Sequence, residues 1–171
     1  MTTRPNEPFA EARLLYLDKP NVLALLKIET QIVDQDVAAI RTSPPLRSGD
    51  DIAVYGFPLT GTLSSTGNFT TGVVSALAGP QDDASFVQLT APIQHGNSGG
   101  PLLDASANVV GVIKEFLSDA QNANFAVKAS VITNFLEAHG TNYKAASGGS
   151  RLDWASVADM ARRFTALIVC Q

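Results

Sequence analysis

Residues 89–112 read LTAPIQHGNSGGPLLDASANVVGV, with Gly96-Asn97-Ser98-Gly99-Gly100-Pro101 at the centre. Glycines on both sides of Ser98 let the backbone adopt turn conformations that other residues rarely reach. Such a turn exposes the serine hydroxyl and aims the N–H groups of Gly96 and Ser98 at one point, with Asn97 between them. A serine nucleophile needs both features: an accessible Oγ, and donors for the carbonyl oxygen that becomes negative during attack. Pro101-Leu102-Leu103 then enters a buried strand. Six residues alone also fit an ordinary glycine-rich turn, so the flanking segments decide the matter.

Outward from this loop, short apolar runs recur between turn residues at 51–57, 70–77, 85–89, 100–103, 109–116 and 124–128. Regularly spaced short strands of this kind predict a sandwich or a small closed barrel. Upstream, residues 12–17 and 22–28 flank Asp18-Lys19-Pro20-Asn21, a β-hairpin pattern. Two stretches are helical instead. Ser130 is expected to cap a helix over 130–139 that stops at Gly140, with Val131, Ile132, Phe135 and Leu136 on one face. After a flexible 145–149, Ser150 is expected to cap a second helix whose Leu152, Val157, Met160, Ala161, Phe164 and Ile168 form an apolar stripe.

The bulk numbers exclude several classes. With 171 residues, 45% hydrophobic and 16% charged, the chain can bury a core and is not disordered by composition. A net charge of -4 argues against nucleic-acid binding, and no apolar run spans a membrane. The first twenty residues hold no signal-peptide core, so the chain as written is expected to be cytoplasmic. A longer natural precursor would make it periplasmic or secreted. The one cysteine, Cys170, can form no internal disulfide; it is a plain thiol or half of an intermolecular bridge. No cofactor or metal is implied.

The 89–112 stretch, with DIAVYGFP at 51–58, TGVVS at 71–75 and NFAVKA at 124–129, resembles the trypsin-like serine peptidases, in particular their bacterial HtrA-like branch. The resemblance runs from about residue 12 to 140. It implies a mainly β fold: the six-stranded C-terminal barrel of the chymotrypsin/trypsin type, a remnant hairpin from a first barrel that is mostly lacking, and C-terminal helices. The implied division is 1–30 for the arm and hairpin, 31–142 for the barrel with its helix, and 143–171 for a linker and helix. Ser98 matches the family's nucleophile, Gly96 and Ser98 its oxyanion-hole donors, and Asn97 the oxyanion loop. The specificity pocket would be based on Pro92 and Ile93, approached by His95 and walled by Ile113, Lys114 and Glu115. No acidic residue falls at its base, so a small or medium apolar side chain is the expected occupant.

The rest of the catalytic triad is not matched. Where the family's aspartate opens an Asp-Leu-Ala-Leu-Leu-Lys segment, this chain reads Asn21-Val22-Leu23-Ala24-Leu25-Leu26-Lys27, which puts Val22 at the aspartate's place. Valine can neither fix an imidazole tautomer nor stabilise an imidazolium. Asn21 would serve only after a one-residue slip, and Asp18 lies across a proline. The family's histidine precedes that aspartate, yet the only histidines are His95 and His139. His95 reads as a loop residue beside the cleft, a makeshift base, or a ligand for the substrate's leaving side, and His139 as a helix C-terminal residue suited to the dipole. Loss of the base costs about a million-fold in turnover, while the oxyanion hole and binding retain roughly 10³–10⁴ over water. Three outcomes are open: a serine endopeptidase completed in trans, a catalytically silent module that binds peptide or unfolded protein, or a silent truncation product. In each, the apolar hairpin (Leu14, Leu15, Leu17, Leu23, Leu25, Leu26) is expected to seek a partner, giving a homo-oligomer.

Overall fold

The computed structural model describes residues 2–3, 10–58, 67–114 and 124–169. Its strands are β1 (Thr2–Thr3), β2 (Ala12–Asp18), β3 (Leu23–Ile28), β4 (Ala39–Ser43), β5 (Asp51–Gly56), β6 (Asn68–Ala76), β7 (Phe86–Leu89), β8 (Pro101–Asp104), β9 (Val109–Lys114) and β10 (Asn124–Lys128). Helix α1 (Ala129–Ala138) follows, then β11 (Lys144–Ser147), α2 (Trp154–Phe164) and β12 (Leu167–Ile168).

Six strands close into an antiparallel barrel in the order β5-β6-β7-β10-β9-β8, the ring shutting where β8 pairs with β5. This is the barrel expected from the sequence. Because the sheet closes on itself, alternate side chains of each strand fill its interior. Ile52, Val54, Val74, Val87, Leu89, Leu102, Val110, Ile113 and Ala126 form that inner core. The outward positions are covered as well, which is why β5 is buried along nearly its whole length. Tyr55, Phe57, Leu103, Val109 and Val127 pack with Leu23 of β3, Ile132 of α1, and Val157 and Ala161 of α2 in a second core. Val157 and Ala161 are fully buried. Burying a valine side chain contributes about 1.5–3 kcal/mol, so α2 is held by this face.

Four strands were not foreseen: β4, β11, and the short β1 and β12 that pair with each other. β4 and β11 extend the sheet as a parallel pair beside β9, β11 overlapping the 145–149 stretch expected to be flexible. Both helix caps also differ from expectation. β10 runs directly into α1, so Lys128 occupies the N-cap without a side-chain bond and Ser130 lies inside the helix. Gly140 does end it, in the left-handed conformation at φ 62°. For α2 the cap is Asp153, which accepts from Ser156 N at 2.9 Å and Ser156 Oγ at 2.7 Å. Ser150 instead presents its carbonyl to Ser106 Oγ at 3.0 Å. Leu152 N donates to Ala105 O at 2.8 Å, which ties residues 150–152 to the turn after β8 and delays the helix. The helix stops at Phe164, so Ile168 belongs to β12, paired with β1.

The β2–β3 hairpin forms where expected, as a separate two-stranded sheet with a register shift between Leu14 and Tyr16. It leans on α1 through Tyr16, whose ring stacks on His139 at 3.8 Å between centroids. Leu14 and Leu17 are both more than half exposed, Leu17 beside the cleft between the hairpin and α1.

Candidate functional site

The loop between β7 and β8 is fixed by its own turns and by the neighbouring strand. Asn97 N donates to Gln94 O at 3.0 Å, and Gly100 N to Asn97 O at 2.9 Å. Gly99 N donates to Ile113 O and Ile113 N to Gly100 O, each at 2.9 Å, which locks the loop onto β9. Gly96 and Gly99 both take positive φ, 99° and 83°, so each of these positions favours glycine. Ser98 is exposed at the crest while Asn97 turns inward and is 4% exposed. Its Oδ1 is buried without a hydrogen-bond partner.

The inward turn brings the loop against the end of β5. A Cβ on Gly56 would lie 2.6 Å from Asn97 Oδ1, and one on Gly100 would collide with the backbone oxygen of Tyr55. Burial pushes the Tyr55 phenol above its ordinary range, partly offset by the charge of Arg162 and a backbone hydrogen bond from Gly67. The Tyr55 ring packs edge-on against Phe57, away from the loop, which Tyr55 meets through its backbone oxygen.

Ser98 opens into a cavity of about 300 Å³ lined by Gly56, Phe57, Gly96, Ser98, Gly99 and Gly100 on one side. Thr165, Ala166, Leu167 and Ile168 line the other. No titratable side chain lines it among the described residues. The sequence offered no signal for this second side, because Ile168 had been absorbed into the helical stripe.

The remaining candidate residues lie elsewhere. Pro92 is exposed and its carbonyl accepts from Thr70 Oγ1 at 3.0 Å; Ile93 packs on the inner core. The carbonyl of Ala91 accepts from Asn124 Nδ2 at 2.7 Å, so this segment rests between β6 and β10. Ile113 is buried, and Lys114 places its Nζ 4.4 Å from the centre of the Phe86 ring. His95 is exposed on the loop's approach. None of these five lines the cavity at Ser98. Glu115 and Cys170 lie outside the described residues. His139 is held between Tyr16 and the edge of Phe135.

Val22 sits in the hairpin turn, 57% exposed and at φ 56°. The carboxylate of Asp18 accepts from Asn21 N at 3.2 Å and Asn21 Nδ2 at 2.7 Å, so both polar neighbours are spent on closing the turn. That turn faces α1, and none of its residues lines the cavity with Ser98.

A closed six-stranded barrel that carries Gly-Asn-Ser-Gly-Gly-Pro on a β-turn defines the serine-peptidase class. The trypsin-like peptidase domain matches residues 2–112. The uncharacterized protein y4bJ of Sinorhizobium fredii (strain NBRC 101917 / NGR234) is 36% identical over 98% of this chain and 28% of its own length. Among solved structures, the serine endoprotease from Yersinia pestis superposes with a TM-score of 0.65 at 27% identity, covering 78% of this chain and 45% of that one. The HtrA-type protease AlgW with decapeptide gives 0.62 at 28% identity, covering 76% and 41%. The chain thus belongs to the trypsin-like serine peptidase family, HtrA type, and spans less than half the length of these relatives.

Proposed function

We propose that the chain forms the nucleophile side of a peptide-binding cleft and that, by itself, it turns peptide bonds over at a negligible rate. In this reading Ser98 is the nucleophile, and the N–H groups of Gly96 and Ser98 receive the carbonyl oxygen. Val22 stands at the degenerate aspartate position. Hydrolysis requires the Ser98 Oγ to bond to the scissile carbonyl carbon, its proton to reach the departing amine nitrogen, and the C–N bond to break. The observation that carries the proposal is the cavity at Ser98, whose described lining includes no titratable side chain. His139, clamped between two aromatic rings, is not poised for the task. Endopeptidase activity then depends on a base brought from another chain or segment. Without one the module binds peptide and releases it unchanged. The decapeptide carried by AlgW supports a peptide as the occupant.

A fluorophosphonate probe tests the reading. We expect peptide binding without labelling for the chain alone. Labelling abolished in Ser98→Ala would show an activated serine and overturn the silent state; loss of all peptide binding would overturn the cleft itself. The exposed Leu14 and Leu17 further support self-association through the hairpin. Light scattering at micromolar concentration is expected to report more than a monomer.

A further inference from the structure

We propose that the C-terminal arm, residues 165–168, is a second wall of the Ser98 cleft and forms with Phe57 a subsite for an apolar side chain of bound peptide. This deepens the peptide-cleft reading and rests on it. The arm lies opposite the nucleophile loop rather than filling the gap, and the space left between them, about 300 Å³, accommodates a side chain. Its described lining combines the apolar Phe57, Ala166, Leu167 and Ile168 with two hydroxyls, Ser98 and Thr165, and no charge. A charged side chain would lose its hydration there without finding a partner, whereas an apolar one would not.

Two further observations point to a ligand. Ile168 is 53% exposed at the cavity's edge, apolar surface that a bound side chain would cover. Thr165 Oγ1 is buried with no hydrogen-bond partner, and a buried hydroxyl in that state calls for a polar group to meet it. A peptide N–H or C=O beside the apolar side chain supplies that group. The wall is firmly placed. Thr165 N donates to Ala161 O at 3.0 Å, continuing directly from the buried face of α2, and β12 pairs with β1. This subsite is separate from the Pro92 and Ile93 region, which does not reach the cavity.

The test uses fluorescein-labelled decapeptides of glycine and serine in which a single leucine or a single glutamate is moved along the chain, with binding followed by anisotropy. At one position leucine is expected to bind at least fivefold more tightly than glutamate. Leu167→Asp and the exposed-site variant Ile168→Asp should each erase that preference and leave the melting temperature of Ile168→Asp unchanged. A leucine preference that survives both substitutions overturns the arm subsite while sparing the peptide cleft. Failure of every decapeptide to bind the unaltered chain overturns both.

Discussion

Gly56, the last residue of β5, and Asn97, inside the Ser98 loop, approach so closely that a methyl group on Gly56 would meet Asn97 Oδ1 at 2.6 Å and its Cα at 3.0 Å. The loop is therefore seated on a strand of the barrel, not merely anchored at its two ends. The second neighbour at this spot is backbone, which cannot swing away as a flexible side chain would. Gly56→Ala should push Asn97 and with it Ser98 outward, while the barrel interior, built from other residues, is retained. We expect at least a tenfold fall in affinity for a decapeptide ligand, measured by anisotropy, with near-unchanged far-UV circular dichroism. Undiminished affinity would mean that the loop's position does not depend on this contact.

The same burial makes Asn97 sensitive to charge. Its Oδ1 already lacks a partner, so a second acceptor oxygen in Asn97→Asp would be worse served. Burial raises a carboxyl's pKa in the folded state above its unfolded value of about 3.9. The variant should match the parent below about pH 4, where both states are protonated. It should lose stability as pH climbs through the raised pKa, and level off about 1–3 kcal/mol lower. Urea melts of variant and parent at pH 3.5 and 8 check the sign; a stability gap to the parent that narrows with rising pH would contradict the buried, unpartnered environment.

Val22 stands in the left-handed region at φ 56°, which is costly for a β-branched residue. The turn imposes this through Asp18, which holds Asn21, and through Val22 N donating to Lys19 O at 3.3 Å. Nothing buried is gained in exchange, since the side chain is 57% exposed. Val22→Asn, a residue that tolerates this conformation, should raise stability by about 1 kcal/mol, read as a shift in the denaturation midpoint. Val22→Asp, by contrast, is expected to bring no peptidase activity, because the hairpin turn does not line the Ser98 cavity. Turnover in that single variant would refute this placement.

How far the sequence could be read follows from how local each signal is. The turn at Ser98 was legible because its glycines and proline dictate conformation within six residues. The hairpin was legible because Pro20 and Asn21 interrupt two apolar runs. β4 and β11 escaped because their side chains are largely polar and exposed; Ile40 is the one buried residue in either strand. The wall opposite Ser98 was hidden for a different reason. Val157, Ala161, Phe164 and Ile168 continue one helical spacing, and only tertiary contact ends the helix at Phe164 and turns Leu167 and Ile168 toward the loop. Residues far apart in the chain, such as Phe57 and Leu167, share a cavity that no local pattern encodes.

Asp153 offers a pH test of how firmly that wall is held. The two hydrogen bonds from Ser156 favour its ionised form and lower its pKa from the ordinary 3.8. A carboxyl depressed in the folded state contributes stability above its unfolded pKa and loses it as pH falls through the folded one. The first turn of α2 should therefore keep its cap down to about pH 4 and fray below that, loosening the helix from which Thr165 and the arm continue. Asn at the cap accepts the same backbone bond without titrating, so Asp153→Asn should flatten this acid dependence, and Asp153→Ala should show the frayed state at every pH. Amide exchange at Ser156 and Val157 between pH 2.5 and 6, corrected for intrinsic rates, measures it directly. Equal acid sensitivity in the parent chain and Asp153→Asn would assign the fraying to another group.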